Sequence, residues 1–284
     1  MYVVTGATGS LGRLAVEGLL ANVPADRIAA VARDARKAAD LAARGVEVRV
    51  ADYDDPASLK GAFGAGDRVL FVSGSEPGRR VPQHRAVVAA AREAGVALLA
   101  YTSVLGGPAA DFELAREHQI TEQAILDSGV PYVFLRNGWY HEVYTGNLGQ
   151  ALEHGAVVSS TGEGRIASAA RADYAAAAVA VLTGEGHQNT AYELSGDVAW
   201  SFAEYAAELS RQTGREIVHS NVPAETYREI LVGAGVPAPF ADVLVDVDAA
   251  ISRGLLATVT GDLSRLIGRP TTPIADAIAA ALKS

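Results

Sequence analysis

The chain opens on a short apolar strand, Tyr2-Val3-Val4-Thr5, that runs directly into Gly6-Ala7-Thr8-Gly9-Ser10-Leu11-Gly12. Leu11, Leu14, Ala15, Gly18 and Leu19 then follow at helical spacing. Strand, glycine turn and helix in that order form a phosphate site. Gly6 permits a tight turn, and the small residues at 7 and 9 let backbone N–H groups approach a pyrophosphate. The helix N-terminus adds unpaired donors and the positive end of its dipole. All seven residues, Gly6 through Gly12, are candidate dinucleotide contacts. The spacing is GxxGxxG rather than the common GxGxxG.

A second strand at 28–32 ends at Arg33. A dinucleotide fold reads the adenosine ribose about 20 residues beyond its glycines. A carboxylate there accepts from a free 2′-hydroxyl, whereas the planar, permanently charged fork of Arg33 suits a 2′-phosphate. NADP(H) is therefore the expected dinucleotide. The adjacent Asp34 leaves NAD(H) open.

A net charge of −9 disfavours nucleic acid or an anionic membrane as partner. Without cysteine there is no disulfide framework, no thiolate nucleophile and no Cys-based zinc site. His84, His118, His141, His154, His187 and His219 never fall at metal-ligand spacing, so no metal is expected. Met1 leads straight into the first strand with no basic leader, and the alanine-rich run at 175–182 is too short to span a bilayer. A cytoplasmic protein is expected.

Helical and strand patterns alternate in the βαβ manner of a parallel sheet. Strands are expected at 46–50, 68–73, 96–102 and 132–135, and helices at 58–63, 83–94 and 114–128. Open α/β sheets bind ligands past the carboxyl ends of their strands. The residues there are Asp52, Ser73, Gly74, Ser75, Thr102, Ser103, Asn137, Gly138, Trp139 and Tyr140, all candidate cofactor contacts. After residue 136 the rhythm becomes irregular. A helix at 175–182 is expected to pack back on the main sheet. A strand at 192–195, a Ser201–Glu204 capping box opening a helix to 212, a strand at 216–219 and helices at 224–233, 239–253 and 273–283 follow. The fold class is α/β, a Rossmann-type doubly wound parallel sheet with a smaller interleaved α+β lobe. Residues 1–136, joined by parts of 165–185, form the dinucleotide domain, and 137–284 the substrate-binding lobe.

The chain resembles the NmrA-like atypical short-chain dehydrogenases, and within them the bacterial NAD(P)H:quinone oxidoreductases, with triphenylmethane-dye reductases as a sister group. The glycine turn, Val31-Ala32-Arg33 and Ala100-Tyr101-Thr102-Ser103 carry the resemblance. So do Leu135-Arg136-Asn137-Gly138-Trp139-Tyr140, the stretch from Ile166 to Tyr174, and Leu266-Ile267-Gly268-Arg269-Pro270-Thr271-Thr272-Pro273. It implies hydride transfer from NADPH to a small quinone without flavin. A nucleotide-sensing regulator, or a reductase of another planar acceptor, is the alternative. A homodimer is left open.

Ordinary short-chain dehydrogenases use Tyr-x-x-x-Lys to protonate a carbonyl oxygen. This chain has no such motif; its lysines are Lys37, Lys60 and Lys283. Quinone reduction has less need of the acid, because a hydroquinone anion is far more stable than an alkoxide. His118 stands on the helix where that tyrosine would fall, either facing the nicotinamide or half-exposed on the surface. Asn137 either positions substrate or nicotinamide amide, or ties a loop. Trp139 and Tyr140 form an aromatic wall for a flat ring, or fill the core between lobes. Asn137, Tyr140 and His118 are the catalytic candidates, with Arg171 approaching the cleft and Asp173 as partner of a helix dipole.

Overall fold

The computed structural model describes every residue except Asn147 and Ser284. Seven strands make the main sheet: β1 (Tyr2–Val4), β2 (Ile28–Ala32), β3 (Glu47–Val50), β4 (Arg68–Phe71), β5 (Leu98–Val104), β6 (Tyr132–Asn137) and, much later in the chain, β9 (Thr190–Leu194). Their order is β3-β2-β1-β4-β5-β6-β9, and every pairing is parallel. The order reverses between β1 and β4, the switch point at which such sheets open a crevice.

Side-chain alternation assigns the two faces of this sheet. Val4, Ala30, Leu98 and Ala100 enter one core with the helices α1 (Ser10–Leu20) and α7 (Arg171–Thr183). Val3, Ala29, Leu99 and Tyr101 enter the other with α3 (Arg80–Ala94) and α4 (Glu113–Ser128). Each large apolar side chain buried in this way contributes roughly 1.5–3 kcal/mol. Residues 175–182 do pack back on the sheet, as the interior of α7. Gly18 allows that approach, since a Cβ there would stand 3.0 Å from Val179 Cγ2. The expected C-terminal glycine of α3, Gly95, is left-handed at φ 66°.

Several strand ends differ from the sequence expectation: β4 stops at Phe71, short of residue 73, while β5, β6 and the later strand Val218–Asn221 run further than expected. The β5–β6 ladder continues through Thr102↔Leu135, Ser103↔Arg136 and Val104↔Asn137. Thr102, Ser103 and Asn137 therefore lie within buried strand rather than beyond it. Their polar side chains do not end the strands, because partners lie close by: Ser73 N–H donates to Thr102 Oγ1 at 2.9 Å, and Ser103 Oγ donates to Glu122 at 2.6 Å.

The remaining elements are α2 (Ala39–Ala43), α5 (His141–Thr145), α6 (Leu148–His154), β7 (Ala156–Ser159), β8 (Arg165–Ile166), β10 (Trp200–Ser201), α8 (Phe202–Thr213), β11 (Val218–Asn221), α9 (Ala224–Gly233), α10 (Ala238–Ser252), α11 (Asp262–Ile267) and α12 (Ile274–Ala281). The expected capping box opens α8. β7 pairs with β11 in parallel and β8 with β10 antiparallel. A third core, with Trp139, Trp200, Phe202, Leu209 and Ile251 at its centre, holds this part of the chain together. The chain crosses between the units more than once: β9 completes the main sheet, and Leu263 of α11 enters the core beside α7. Asp173, fully buried in the first turn of α7, accepts from Thr272 N–H and Arg269 Nη2, each at 2.7 Å. It thereby ties the C-terminal segment to the main sheet. Among the described residues no helix is long and apolar enough to cross a membrane.

Candidate functional site

Two cavities stand out. The smaller, about 400 Å³, lies past the ends of β1, β2 and β4. Gly6, at φ +58°, makes the turn after β1, and Gly9 N–H donates to Gly6 O at 2.9 Å to close it. Gly9 caps α1 without any side-chain hydrogen bond, so the first-turn N–H donors of that helix remain available. A Cβ at Gly12 would stand 2.3 Å from Gly6 O, and one at Gly9 3.3 Å from the same atom. The turn thus closes only around hydrogen at these positions, and its donors face an open cradle. That geometry fits a pyrophosphate.

Thr8, Ser10, Leu11, Arg33, Asp52, Ser73, Gly74 and Ser75 line the same cavity, as do Gly6, Gly9 and Gly12. Ala7 does not; it is fully buried behind the turn. The sequence reading missed four polar lining residues, Lys37, Tyr53, Glu76 and Gln83, and the apolar Val31, Ala32, Ala51 and Val72. Lys37 had a signal, standing four residues beyond Arg33 on the short helical turn that follows β2. Arg33 is largely exposed, and its nearest acid is Glu76 at 3.9 Å. The guanidinium is free to turn towards a ligand phosphate.

Beneath the Ser73–Ser75 loop lies a buried polar network that the sequence did not reveal. Gly74 N–H donates to His84 Nε2 at 2.9 Å, which fixes the proton on Nδ1, 2.9 Å from Thr121 Oγ1. Burial, with Arg80 beside it, pushes the His84 imidazole down to about 3, so it stays neutral. Arg80 Nε donates to Gly74 O at 2.6 Å. His118 belongs to this network. It is buried, its Nδ1 2.7 Å from Tyr101 Oη, and burial with Arg80 and His84 nearby pushes it well below its ordinary range. It is neither half-exposed nor on the wall of either cavity.

Further along the strand ends, Asn137 is buried at the close of β6, with Oδ1 lacking any hydrogen-bond partner and Nδ2 3.4 Å from Tyr140 Oη. Burial raises the Tyr140 hydroxyl above its ordinary range and keeps it protonated. The Arg171 guanidinium lies over the Tyr140 ring, 5.1 Å from its centroid. Glu142, unremarked in the sequence, accepts from Arg171 N–H at 2.9 Å and so caps α7. Gly138 is required by close packing: a Cβ there would meet Leu194 O and Tyr174 Oη at 3.1 Å.

The larger cavity, about 800 Å³, begins beside this group. Trp139 and Arg171 line it, together with Tyr144, Phe202, Tyr205, Tyr227 and Asp248. Trp139 both fills the third core and walls the cavity, and its Nε1 is buried without a partner. Tyr144 meets Trp200 and Phe202 edge-on at 5.3 and 5.2 Å. Asn137 and Tyr140 line neither cavity, and Thr102 and Ser103 are taken up by hydrogen bonds with Ser73 and Glu122. Among the described residues no three potential ligands gather as a metal site.

Residues 6–185 match the family described as NAD(P)H-binding. Quinone oxidoreductase 2 of Escherichia coli is 45% identical over 98% of this chain and 97% of its own. The crystal structure of the NADPH-dependent quinone oxidoreductase from the same organism, complexed with NADPH, superposes with a TM-score of 0.96, covering 99% of this chain and 100% of that one at 45% identity. Triphenylmethane reductase of Citrobacter sp., complexed with NADP(H), does so at 0.95 with 41% identity, covering 99% and 100%. On the glycine cradle and on these matches together, the chain belongs to the NAD(P)H-binding family.

Proposed function

We propose that the protein is an NAD(P)H:quinone oxidoreductase, with NADPH preferred, that reduces a small quinone by two electrons without flavin or metal. The observation that carries the reading is a glycine cradle at the sheet edge together with an aromatic cavity whose wall includes Arg171, the residue that lies over Tyr140 beside the unpaired Asn137 Oδ1. The 45% identity to a quinone oxidoreductase supports the choice of acceptor. Residues 1–136, with 165–185, hold the dinucleotide in this reading, and the rest of the chain shapes the acceptor site.

The cradle at Gly6, Gly9 and Gly12, with Arg33, would hold the dinucleotide past the carboxyl ends of the strands. When bound, the reduced nicotinamide supplies a hydride. The chain's own contribution is orientation and charge. Asn137 Oδ1, buried and unpaired, accepts from a carboxamide or substrate N–H. Tyr140 stays protonated and donates towards the acceptor oxygen. Arg171 places a permanent positive charge beside the negative charge that oxygen develops. The balance is NAD(P)H plus a proton plus quinone giving NAD(P)⁺ and hydroquinone. The proton on the final oxygen comes from water, because a hydroquinone anion needs no strong acid.

The test is nicotinamide oxidation by purified protein across a panel of benzoquinones and naphthoquinones. The expected protein carries no flavin absorbance yet oxidises NADPH when quinone is added. Protein that binds NADPH and gives no quinone-dependent oxidation above background would instead support the nucleotide-sensing reading.

A further inference from the structure

The larger cavity has an apolar body and a carboxylate that the protein satisfies at only one of its two oxygens. Asp248 of α10 lines it and is 3% exposed. Its Oδ2 accepts from Ser160 N–H at 2.7 Å and Ser160 Oγ at 3.2 Å. Its Oδ1 receives no hydrogen bond, and no cation pairs with it, among the described residues. Tyr205, also 3% exposed, has a buried hydroxyl without a partner. Burial, and after it the Asp248 charge, raises the hydroxyls of Tyr144 and Tyr227, which line the same cavity.

Buried polar groups in folded proteins are almost always paired, and a buried carboxylate is costly unless a donor meets it. Unpaired groups converging on a ligand-sized cavity mark the place where a ligand's polar atoms complete the set. The chemistry of that atom follows from the residues. Ionised Asp248 only accepts, so an oxygen or nitrogen facing it must carry a proton. A ligand ether or carbonyl oxygen would meet lone pairs there. Arg171, on α7 beside Tyr140, offers the opposite polarity and suits the oxygen that is reduced.

Resting on the reading of this cavity as the acceptor site, we infer that it selects planar aromatic acceptors bearing a hydroxyl or amino group remote from the reduced ring, with Asp248 accepting from that group. Nothing in the chemistry distinguishes hydroxyl from amine; the donated proton is the shared feature.

The experiment measures equilibrium binding of three naphthoquinones to the full chain saturated with NADP⁺, so that no turnover occurs. They carry on the benzo ring a hydroxymethyl, an ethyl or a methoxy group, which are matched in size and differ in the donated proton. The hydroxymethyl compound is expected to bind about 10-fold tighter than the other two, the scale of one hydrogen bond to a charged group. Asp248→Asn, which turns the lone acceptor into a donor, should bring the hydroxymethyl-to-methoxy ratio to about 1. Should that variant not fold, the same ratio read in the unaltered protein at about pH 5 and about pH 8 should fall several-fold at the lower pH, where Asp248 is protonated and can itself donate. Equal affinities in the unaltered protein, a ratio that survives Asp248→Asn, or no binding by any of the three overturns the inference. Turnover of the same compounds is read separately: binding with the expected ratio but no NADPH oxidation would overturn the quinone reductase reading and leave the cavity's preference standing.

Discussion

The smaller cavity takes its cradle from backbone, at Gly6, Gly9 and Gly12, whereas the larger is walled by the side chains of Trp139, Tyr144, Phe202, Tyr205 and Tyr227. The first lies where a single strand–turn–helix unit meets the sheet edge. The second is assembled from α5, α8, α9 and α10, of which α5 lies more than fifty residues before the others. A phosphate is the same in every dinucleotide, so a site of N–H groups and a helix end suffices for it and tolerates almost no change. An acceptor site made of side chains can be altered one residue at a time. Damage to the cradle should therefore remove binding outright, and changes in the side-chain region should tune rate and preference.

The largest expected effect follows from Gly12. A methyl group there would stand 2.3 Å from the Gly6 carbonyl oxygen, which belongs to the backbone and cannot rotate away. Gly12→Ala should lose NADPH-induced thermal stabilisation altogether, and overpacking of about 1–3 kcal/mol should lower Tm by several degrees. Retained stabilisation by NADPH would remove the cradle from the phosphate site.

Next comes the pH dependence of stability set by the larger cavity. Burial pushes Asp248 up to about 6 from an ordinary 3.8, against the opposing Ser160 donors. Between those values the native protein holds a proton that the unfolded chain has lost, so rising pH costs native stability. Below the lower value the cost vanishes, and above the upper it is complete, at about 3 kcal/mol. Denaturation of wild type and Asp248→Asn from about pH 4 to about pH 7 should show the wild type losing ground by that amount. Parallel curves would mean Asp248 does not titrate as an isolated buried acid.

Smaller effects concern the join and the cofactor's far end. Asn137→Ala should lower kcat on the order of 30-fold through lost positioning, with NADPH affinity nearly unchanged. A loss confined to NADPH affinity would move Asn137 from the acceptor side to the dinucleotide side. Arg33→Ala should weaken NADPH about 10-fold and leave NADH unchanged, the worth of one charge-assisted contact to the 2′-phosphate. Equal losses for both nucleotides would remove Arg33 from that role.

The same contrast explains what the sequence disclosed. The glycine turn, Arg33 after β2, the Gly95 helix end and the Ser201–Glu204 capping box are local devices, each fixed by a few neighbouring residues. They could be read in a line. The β5 and β6 ends were placed early because Thr102, Ser103 and Asn137 look like loop residues, yet Ser73 and Glu122 satisfy the first two within the sheet. β9 gave no sign that it would join the main sheet, since its partner β6 ends more than fifty residues earlier. Nor could the polar end of the larger cavity be read, because Ser160, Tyr205 and Asp248 share no period or motif. His84 drew no attention as more than a lone histidine, although it holds the Gly74 loop by a bond to backbone.

The central claim is that the cradle delivers reducing equivalents directly to an acceptor in the aromatic cavity. A single-turnover experiment tests it most directly: flavin-free protein loaded with one equivalent of NADPH is mixed with a small naphthoquinone, and nicotinamide consumed and hydroquinone formed are counted together. The account predicts one hydroquinone for each NADPH oxidised and no one-electron product. NADPH that stays reduced on protein shown to hold both ligands, or a one-electron product in its place, would contradict it.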